Sequence, residues 1–573
     1  MQDDELRARR GSAMSTKRVA PTSRGSSAYP RKRAVTACQV CRVRRTKCDQ
    51  KKPACSFCSK IGAECVFDPS ALSTFDPASL EIIERLDRLE RKLDNPLHPR
   101  YEHPTEQHGV PSNAHAPLND PHALLPGNLD AVLKWAVFQD LAPSPVVRPG
   151  VSSPILPGML GRIPVTGDEL DPASCNEWLD NFFNEVHIKN PILDEQHTRR
   201  LVRKVCLEGA GWDTSSCLAL VVCANGALVR EFRIPSLEQH ELEGSVAMSL
   251  FAAAQKRLGP VMVATGVVQA QCVFFVGVFL MSVLQPVEAW RMFLQALAIC
   301  QSFKSSSRKV SQDNSSLSDS AAAEESIYWS CWKSEQELRW ELGPSDFSSR
   351  ALGPPQLFPS IPDACKDQNI RAWYFYLSEI SLWRLDTETR QEMTKVVTEG
   401  RSGVLRALAD IGDSTLEQLA VWQESLAPPV SLAGHDPPST DNDIIRFVLR
   451  GRTTYIHELI SWPFIQSMIN EENDSPRTMQ WVVNGLSFHL ERLVVNRPGF
   501  YHRHHGTWLM LRSSARSACI LLACAYLPST SKLMPSEWKE AVEATIQMLE
   551  YWRGQTEGIG DAVDLMHQLF TLV

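Results

Sequence analysis

The chain is 573 residues long, 43% hydrophobic and 22% charged, with a formal net charge of −7. Its length predicts about two to four folding units, and its composition excludes a wholly disordered chain, a collagen-like repeat and a small disulfide scaffold. The charge is distributed unevenly: residues 1–70 contain 16 Lys and Arg against 6 Asp and Glu, and the remainder contains 43 against 60. A basic N-terminal segment followed by an acidic body favours an anionic partner, such as a nucleic acid, for the first segment alone.

Residues 1–33 are polar, basic and rich in serine, which is typical of a disordered segment. They contain no apolar run of the length that a secretory signal requires. Closely spaced cysteines in the segment that follows are therefore expected to bind metal, and a redox or disulfide cluster is the alternative.

Six of the 16 cysteines form a repeated spacing, C-x2-C-x6-C, within residues 34–68, which indicates a pseudo-twofold metal site. The six are Cys38, Cys41, Cys48, Cys55, Cys58 and Cys65. One tetrahedral zinc would use four thiolates and leave two unused, whereas two zinc ions need eight positions, which six thiolates fill when two of them bridge. The symmetric choice makes Cys38 and Cys55 the bridges. Metal binding is expected to supply most of the folding energy of so short a segment.

Basic residues surround this cysteine cluster. Residues 31–60 contain ten Lys and Arg and a single acid, Asp49, and four of the ten lie between Cys41 and Cys48. On a helix held by metal they would contact phosphates, and an arginine would read guanine in the major groove of double-stranded DNA. A solvated basic face is the alternative. The candidate DNA-binding residues are Arg42, Arg44, Arg45, Lys47, Lys51 and Lys52.

Residues 38–65 resemble the fungal two-zinc, six-cysteine binuclear cluster domain. Besides the cysteines, the resemblance rests on Arg42, Arg44, Arg45, Lys47, Asp49, Pro53 and Gly62. It implies two zinc ions bridged by the first and fourth cysteines, and a basic helix that reads CGG-type triplets. Arg45 stands at the position of the family's base-contacting residue, which is commonly Lys. Because Arg and Lys hold their hydrogen-bond donors in different geometries, the resemblance implies a contact to guanine of different geometry here.

Residues 79–95 are predicted to form a short coiled-coil helix. Apolar residues spaced four, three and four apart fit two heptads, and such a short helix needs a partner to persist. We therefore expect a homodimer, and a surface helix packed on its own domain is the alternative. The candidate dimerisation residues are Ile82, Leu86, Leu89 and Leu93.

Residues 96–170 are predicted to be a linker, since fourteen prolines lie between Asn95 and Pro172 inclusive. Its histidines follow no spacing typical of metal ligands. An apolar island, Leu129–Phe138, is expected to form a short docking helix.

Residues 171–573 are predicted to form an all-α domain, because long apolar segments with helical spacing follow one another there. Residues 305–325 are expected to be a flexible insertion, and residues 428–443 a second loop. The predicted helical segments are Cys175–Val186, Cys217–Val229, Leu242–Leu258, Val267–Leu284, Ala289–Phe303, Ile444–Ile469, Trp481–Val494, Trp508–Leu527 and Trp538–Trp552.

This region is similar, more diffusely, to the fungal-specific transcription factor domain (middle homology domain). The similar stretches are Trp178–Phe183, Val287–Arg291, Trp329–Glu335, Arg450–Phe464 and Arg503–Trp508. Together the two resemblances imply a nuclear, sequence-specific regulator of RNA polymerase II transcription. We expect it to work with the transcription machinery or co-regulators, as an activator of a metabolic or biosynthetic gene set.

Three other features have competing interpretations. The uncharged segment 258–287 fits either a membrane span or, in our prediction, packed core helices. His502, His504 and His505 are expected to lie in a loop entering the Trp508 helix, with a metal site as the alternative. The tryptophans of residues 329–340 are expected in the core, with a ligand pocket as the alternative.

No recognisable catalytic motif is present, so we expect no enzyme. A helical enzyme or small-molecule binder with an accessory zinc module is the rival hypothesis.

Overall fold

A computed structural model divides the chain into two compact units, residues 1–114 and residues 115–573. Within the described residues every regular element is a helix and none is a strand, which confirms the all-α prediction. The described residues are 37–38, 40–41, 44, 46–67, 124–139, 171–232, 244–303, 319–343, 354–355, 358–361, 370–400, 403–434, 443–469, 475–556 and 558–573.

In the first unit, one helix lies wholly within the described residues, α1 (Ser56–Ile61), and Val40 and Cys41 are also helical. We call residues 37–67 the cysteine segment and residues 115–573 the helical unit. The α-helices described in the helical unit are α2 (Leu129–Val132), α3 (Ala136–Gln139), α4 (Pro172–Asn181), α5 (Glu195–Glu208), α6 (Thr214–Leu228), α7 (Gly244–Gln255), α8 (Leu258–Val263), α9 (Val267–Ser282), α10 (Pro286–Cys300), α11 (Asp319–Leu342), α12 (Ile370–Glu399), α13 (Val404–Glu424), α14 (Ile444–Ile469), α15 (Pro476–Asn496), α16 (Thr507–Tyr526), α17 (Trp538–Trp552) and α18 (Gly560–Phe570).

Side-chain caps define where several of these helices begin. Asp171 accepts hydrogen bonds from the backbone N–H groups of Ala173 and Ser174, at 2.8 and 3.2 Å, and so starts α4. Asp194 and Asp213 cap α5 and α6 in the same way. Such caps satisfy backbone donors that have no partner inside the helix, which is why short polar residues precede these helices.

The uncharged segment 258–287 forms two helices and the start of a third. The core prediction is confirmed for α9, whereas Met262 and Val263 of α8 are exposed. Residues Ala270–Met281 of α9 are all buried, and Asn225 Nδ2 of α6 donates to the Phe275 carbonyl at 3.1 Å. A helix that is apolar on every face is buried on every face. None of the helices in the described part of the chain combines the length and the apolar character that a membrane span needs.

The predicted insertion and the predicted linker both contain helix in the structure. Helix α11 begins at Asp319, so the last part of the expected insertion 305–325 is helical. Within the predicted linker, residues 124–139 pack against the rest of the helical unit: Leu129, Val132 and Phe138 are buried. The apolar island is thus a docked element, as expected, but forms two short helices. The predicted coiled-coil helix 79–95 lies outside the described residues.

Candidate metal centre

The two halves of the cysteine segment repeat the same local hydrogen bonds. Thr46 N–H donates to the Cys41 carbonyl at 3.0 Å, and Ala63 N–H donates to the Cys58 carbonyl at 3.1 Å. Cys38 and Cys55, 17 residues apart, each begin a half. The duplicated spacing in the sequence therefore corresponds to a duplicated backbone conformation.

Helix α1 shows how this repeat places its thiols. The Cys55 side chain caps the helix and accepts from the Cys58 N–H at 3.4 Å. The helix ends at Gly62, which adopts a left-handed conformation with φ of 63°. Because a residue without a Cβ adopts this conformation without strain, the chain reverses there and returns toward Cys65.

The six thiols form two groups of four that share two members. The Sγ atoms of Cys38, Cys41, Cys48 and Cys55 all lie within 4.8 Å of one another, and so do those of Cys38, Cys55, Cys58 and Cys65. The shared pair, Cys38 and Cys55, has its sulfurs 3.7 Å apart. Four thiolates around one point are the donor set of structural zinc, so the residues present fit two zinc ions.

Backbone donors act on the two shared sulfurs. Hydrogen bonds from the Cys41 and Cys58 N–H groups lower the pKa of Cys38 and of Cys55, respectively. By contrast, burial raises the pKa of the Cys41 thiol to about 12, and burial also raises the pKa of Cys58. The thiolate form is thus favoured by the backbone at the two sulfurs common to both groups.

The cysteines are themselves the core of this segment. Among the described residues, its buried apolar cluster consists of five of the six cysteines, with four non-cysteine side chains, Ala37, Val40, Phe57 and Phe67, packed partly against it. An apolar core of this size does not offset the entropy of ordering the chain. Metal–thiolate bonds must therefore supply the stability of the fold.

Asp49 has a structural role that the sequence comparison alone did not give. Its Oδ1 accepts from the Ser56 N–H at 2.9 Å, and its other oxygen accepts from the Ser56 hydroxyl. These hydrogen bonds lower the pKa of Asp49. The carboxylate therefore connects the end of the first half of the repeat to the first turn of α1.

The candidate DNA-binding residues are only partly within the described part of the chain. Arg44, Lys47, Lys51 and Lys52 are exposed, as is Lys60 in the last turn of α1, which the sequence prediction omitted. Arg42 and Arg45 lie outside the described residues, and so do the dimerisation residues Ile82, Leu86, Leu89 and Leu93. Basic side chains on this surface are therefore available to a polyanion.

Comparisons with known proteins match this same segment. Residues 36–73 match the family model of the fungal Zn(2)-Cys(6) binuclear cluster domain. The chain is similar to an oleate-activated transcription factor of Saccharomyces cerevisiae, with 38% identity over 73 residues, covering 12% of this chain and 7% of that protein. It is also similar to the Zn(2)-C6 fungal-type transcription factor afumD of Aspergillus fumigatus, with 44% identity over 50 residues, covering 9% of this chain and 13% of that protein.

The cysteine segment is thus a zinc-binding module built from thiolates. More specifically, residues 36–73 match the fungal Zn(2)-Cys(6) binuclear cluster domain, whose cofactors are two zinc ions. The chain aligns with only a small part of the relatives' length, 7% of one and 13% of the other. The resemblance of the helical unit to the fungal-specific transcription factor domain stays a prediction.

Proposed function

We propose that the protein is a sequence-specific, DNA-binding transcription factor. The observation that carries this proposal is the pair of four-thiol groups sharing Cys38 and Cys55, within a segment that matches the binuclear cluster domain. The relatives that share this segment bear the names of transcription factors. The exposed basic residues of the same segment provide the charge that a DNA backbone attracts.

All six cysteines are proposed as zinc ligands, with Cys38 and Cys55 as the bridges. Zinc supplies rigid cross-links and performs no chemical step, so every contact to DNA comes from the chain. Lys47, Lys51 and Lys52 are proposed to contact phosphates, and the exposure of their side chains supports this role. Arg45 is proposed to donate to guanine in a CGG-type triplet, with Arg42 and Arg44 flanking it in sequence.

The rest of the chain is proposed to provide pairing and regulation. The heptad pattern of residues 79–95 supports a homodimer that binds two half-sites, whose separation depends on the chain between the cluster and the coil. The helical unit is proposed to be the regulatory domain, and the protein to act in the nucleus on RNA polymerase II genes. An activator of a metabolic or biosynthetic gene set fits this organisation.

The direct test is selection of bound sequences from a random double-stranded DNA pool by the full-length, zinc-loaded protein. CGG-type triplets should be enriched. Arg45→Ala should weaken selected-site binding by about 1–3 kcal/mol and reduce discrimination at one base. Lys60→Ala is the matched control, because it removes the same charge in the other half of the repeat and should preserve the selected sequence.

The Cys38→Ala variant tests the role of the metal. Loss of a proposed bridging ligand should abolish selective binding, since both zinc sites lose a donor. Cys206→Ser, in the helical unit, is the control for removing a thiol. Selective DNA binding retained by Cys38→Ala would contradict the proposed mechanism.

A further inference from the structure

The helical unit contains a cavity of about 180 Å³ that is distant in sequence from the cysteine segment. Space of this size holds on the order of a dozen water-sized groups. One part of its wall is apolar and includes Phe293, Phe375 and Trp383. The remainder is polar and is formed by residues from the segment after α4 and from helices α11, α12, α14, α15 and α16. A mixed wall of this kind is typical of small-molecule sites.

Most charges in this wall are already paired. Arg452 lies 2.6 Å from a Glu337 oxygen and 3.2 Å from a Glu379 oxygen. Lys333 donates to the other oxygen of Glu379. Two cations therefore face two carboxylates, and this group is neutral overall.

A second network is balanced in the same way. Arg492 and Arg516 lie 2.7 and 2.9 Å from the oxygens of Glu458. Arg516 also contacts Glu341, which binds Arg512 in turn, and Arg512 lies 3.0 Å from Asp130. Three guanidinium groups thus match three carboxylates, and the network contributes no net charge to the cavity.

Lys189 is the exception. It lines the cavity and is only 4% exposed, and among the described residues no carboxylate forms an ion pair with its ammonium group. The acids that influence it are Glu185 and Glu379; Glu379 is already paired with Lys333 and Arg452, and Glu185 is not among the residues that line the cavity. Burial lowers the pKa of Lys189 to about 8, so it remains mostly charged at pH 7. A buried ammonium without a counter-ion is unfavourable, and an anion in the cavity would neutralise it.

Polar groups without protein partners lie beside Lys189 in the cavity wall. His504 Nδ1 accepts from the Gly506 N–H at 2.9 Å, so the proton of the neutral ring is on Nε2. That Nε2 is buried and has no hydrogen-bond partner, and neither has Asn190 Oδ1. Burial and the nearby Lys189 charge lower the pKa of His504, which keeps the ring a neutral donor.

The start of α16 adds a further favourable feature. Gly506 lines the cavity as the N-cap of this 20-residue helix, and no side chain caps it. The N-terminal end of a helix carries partial positive charge, which favours an anion. The charge of Lys189, the unpaired N–H donor of His504 and the helix end therefore all point to an anionic ligand.

We propose that this cavity binds a small organic acid, with its carboxylate at Lys189 and His504 and its apolar body against Phe293 and Trp383. A carboxylate matches the single excess positive charge. Asn190 would accept from a hydroxyl or amide of the ligand where one is present. The proposal concerns the helical unit alone, so its outcome is independent of DNA binding.

The test uses the full-length, zinc-loaded protein and defined probes: benzoate, 3-phenylpropionate, hexanoate and octanoate, each beside its uncharged primary amide. Binding is measured by calorimetry and by thermal unfolding followed by tryptophan fluorescence. Every tryptophan lies beyond residue 115, so this signal reports the helical unit alone. At least one acid should raise the melting temperature, and its amide should not.

Lys189→Met removes the charge but keeps the length of the side chain. It should weaken binding of the active acid by roughly tenfold to a hundredfold. Without ligand it should not lower the melting temperature, because an unpaired buried charge is removed. Lys395→Met, on the exposed face of α12, is the matched control and should bind normally. Failure of every acid to bind, equal binding of acid and amide, or unchanged affinity in Lys189→Met would overturn the proposal.

Discussion

The cysteine segment and the helical unit are stabilised by opposite kinds of interaction. In the first, the buried side chains are cysteines, and apolar groups only partly cover them. In the second, large side chains such as Trp329, Phe274 and Trp552 are fully buried in a continuous core. A short chain obtains its order from metal bonds, whereas a long chain obtains it from apolar burial. The two parts should therefore fail under different conditions.

Zinc removal should have the largest effect and should act on one part only. A strong chelator is expected to unfold the cysteine segment and abolish DNA binding, because structural zinc contributes on the order of 10 kcal/mol to such folds. The tryptophan-detected melting temperature of the helical unit should stay unchanged. DNA binding that survives complete zinc removal, or a destabilised helical unit, would contradict this separation.

Glu458→Gln should strongly destabilise the helical unit while leaving the zinc content unchanged. Glu458 accepts from Arg492 at 2.7 Å and from Arg516 at 2.9 Å, and all three are buried. Removing its charge leaves buried guanidinium groups uncompensated, which is expected to reduce the free energy of unfolding by about 3–5 kcal/mol. Urea unfolding followed by tryptophan fluorescence measures this loss. Glu424→Gln, at an exposed site, is the control and should change little.

The pH dependence of that variant sharpens the test. Arg492 and Arg516 help hold the pKa of buried Glu458 at about 2, below its usual value of 4.5. The contribution of the Glu458 carboxylate to the free energy of unfolding is present above pH 4.5 and is lost as the pH falls toward 2. This part of the acid sensitivity should be absent from Glu458→Gln. An unaltered acid profile in the variant would show that the carboxylate charge is not what stabilises the network.

Mild acid should destabilise the helical unit in a separate pH window. Burial lowers the pKa of His187 and of His489 from 6.5 to about 4. The unfolded chain therefore takes up protons that the folded protein does not, and stability falls as the pH drops from 6.5 toward 4. Each histidine accounts for a loss of up to about 3 kcal/mol in the free energy of unfolding. Tryptophan-detected unfolding across this range should show a reduced slope in His489→Gln and the full slope in His197→Gln, an exposed control.

Gly226→Ala tests the close packing of the helical unit. A Cβ at Gly226, within α6, would lie 1.9 Å from the carbonyl oxygen of Trp178, which is backbone and cannot rotate away. The free energy of unfolding is expected to fall by about 1–3 kcal/mol, and the variant should retain its zinc content and DNA binding. Gly259→Ala is the matched control, since nothing lies within 4 Å of the added atom. Equal stability of the two variants would contradict the close approach of α4 and α6.

The smallest expected effect is that of Asp49→Asn in the cysteine segment. It weakens the hydrogen bonds that Asp49 makes to Ser56 at the first turn of α1. Zinc affinity, measured by competition with a chromogenic chelator, should fall roughly two- to tenfold. Glu64→Gln removes an exposed acid from the same segment and should leave the zinc affinity unchanged. A larger effect for Glu64→Gln would show that overall charge, and not the cap, controls affinity.

Features encoded locally could be predicted from the sequence. Cysteine spacing places ligands around a metal with little dependence on the rest of the chain, so the four-thiol groups follow from the sequence. The limits of α14 and α17, Ile444–Ile469 and Trp538–Trp552, agree with the apolar periodicity. Periodicity is a property of neighbouring residues, and each of these helices buries a broad stripe.

Features that depend on distant contacts could not be predicted. Helix α12 was missed, because Arg, Glu and Asp interrupt its apolar pattern, and its buried Glu379 is stabilised by Lys333 and Arg452 from other helices. The pairing of Glu341 with Arg512 joins residues 171 positions apart, which no local pattern encodes. Trp329 and Trp332 are buried as expected, but Trp340 is 46% exposed, although Leu338 and Glu341 beside it in α11 are buried.

The zinc stoichiometry of the full-length protein tests the central claim most directly. Native mass spectrometry of the intact chain should show two zinc ions per chain, both lost in Cys38→Ala and both retained in Cys206→Ser. Two shared sulfurs among six thiols require this number. One tightly bound zinc ion per chain, or two ions retained after loss of Cys38, would contradict the shared-thiolate cluster.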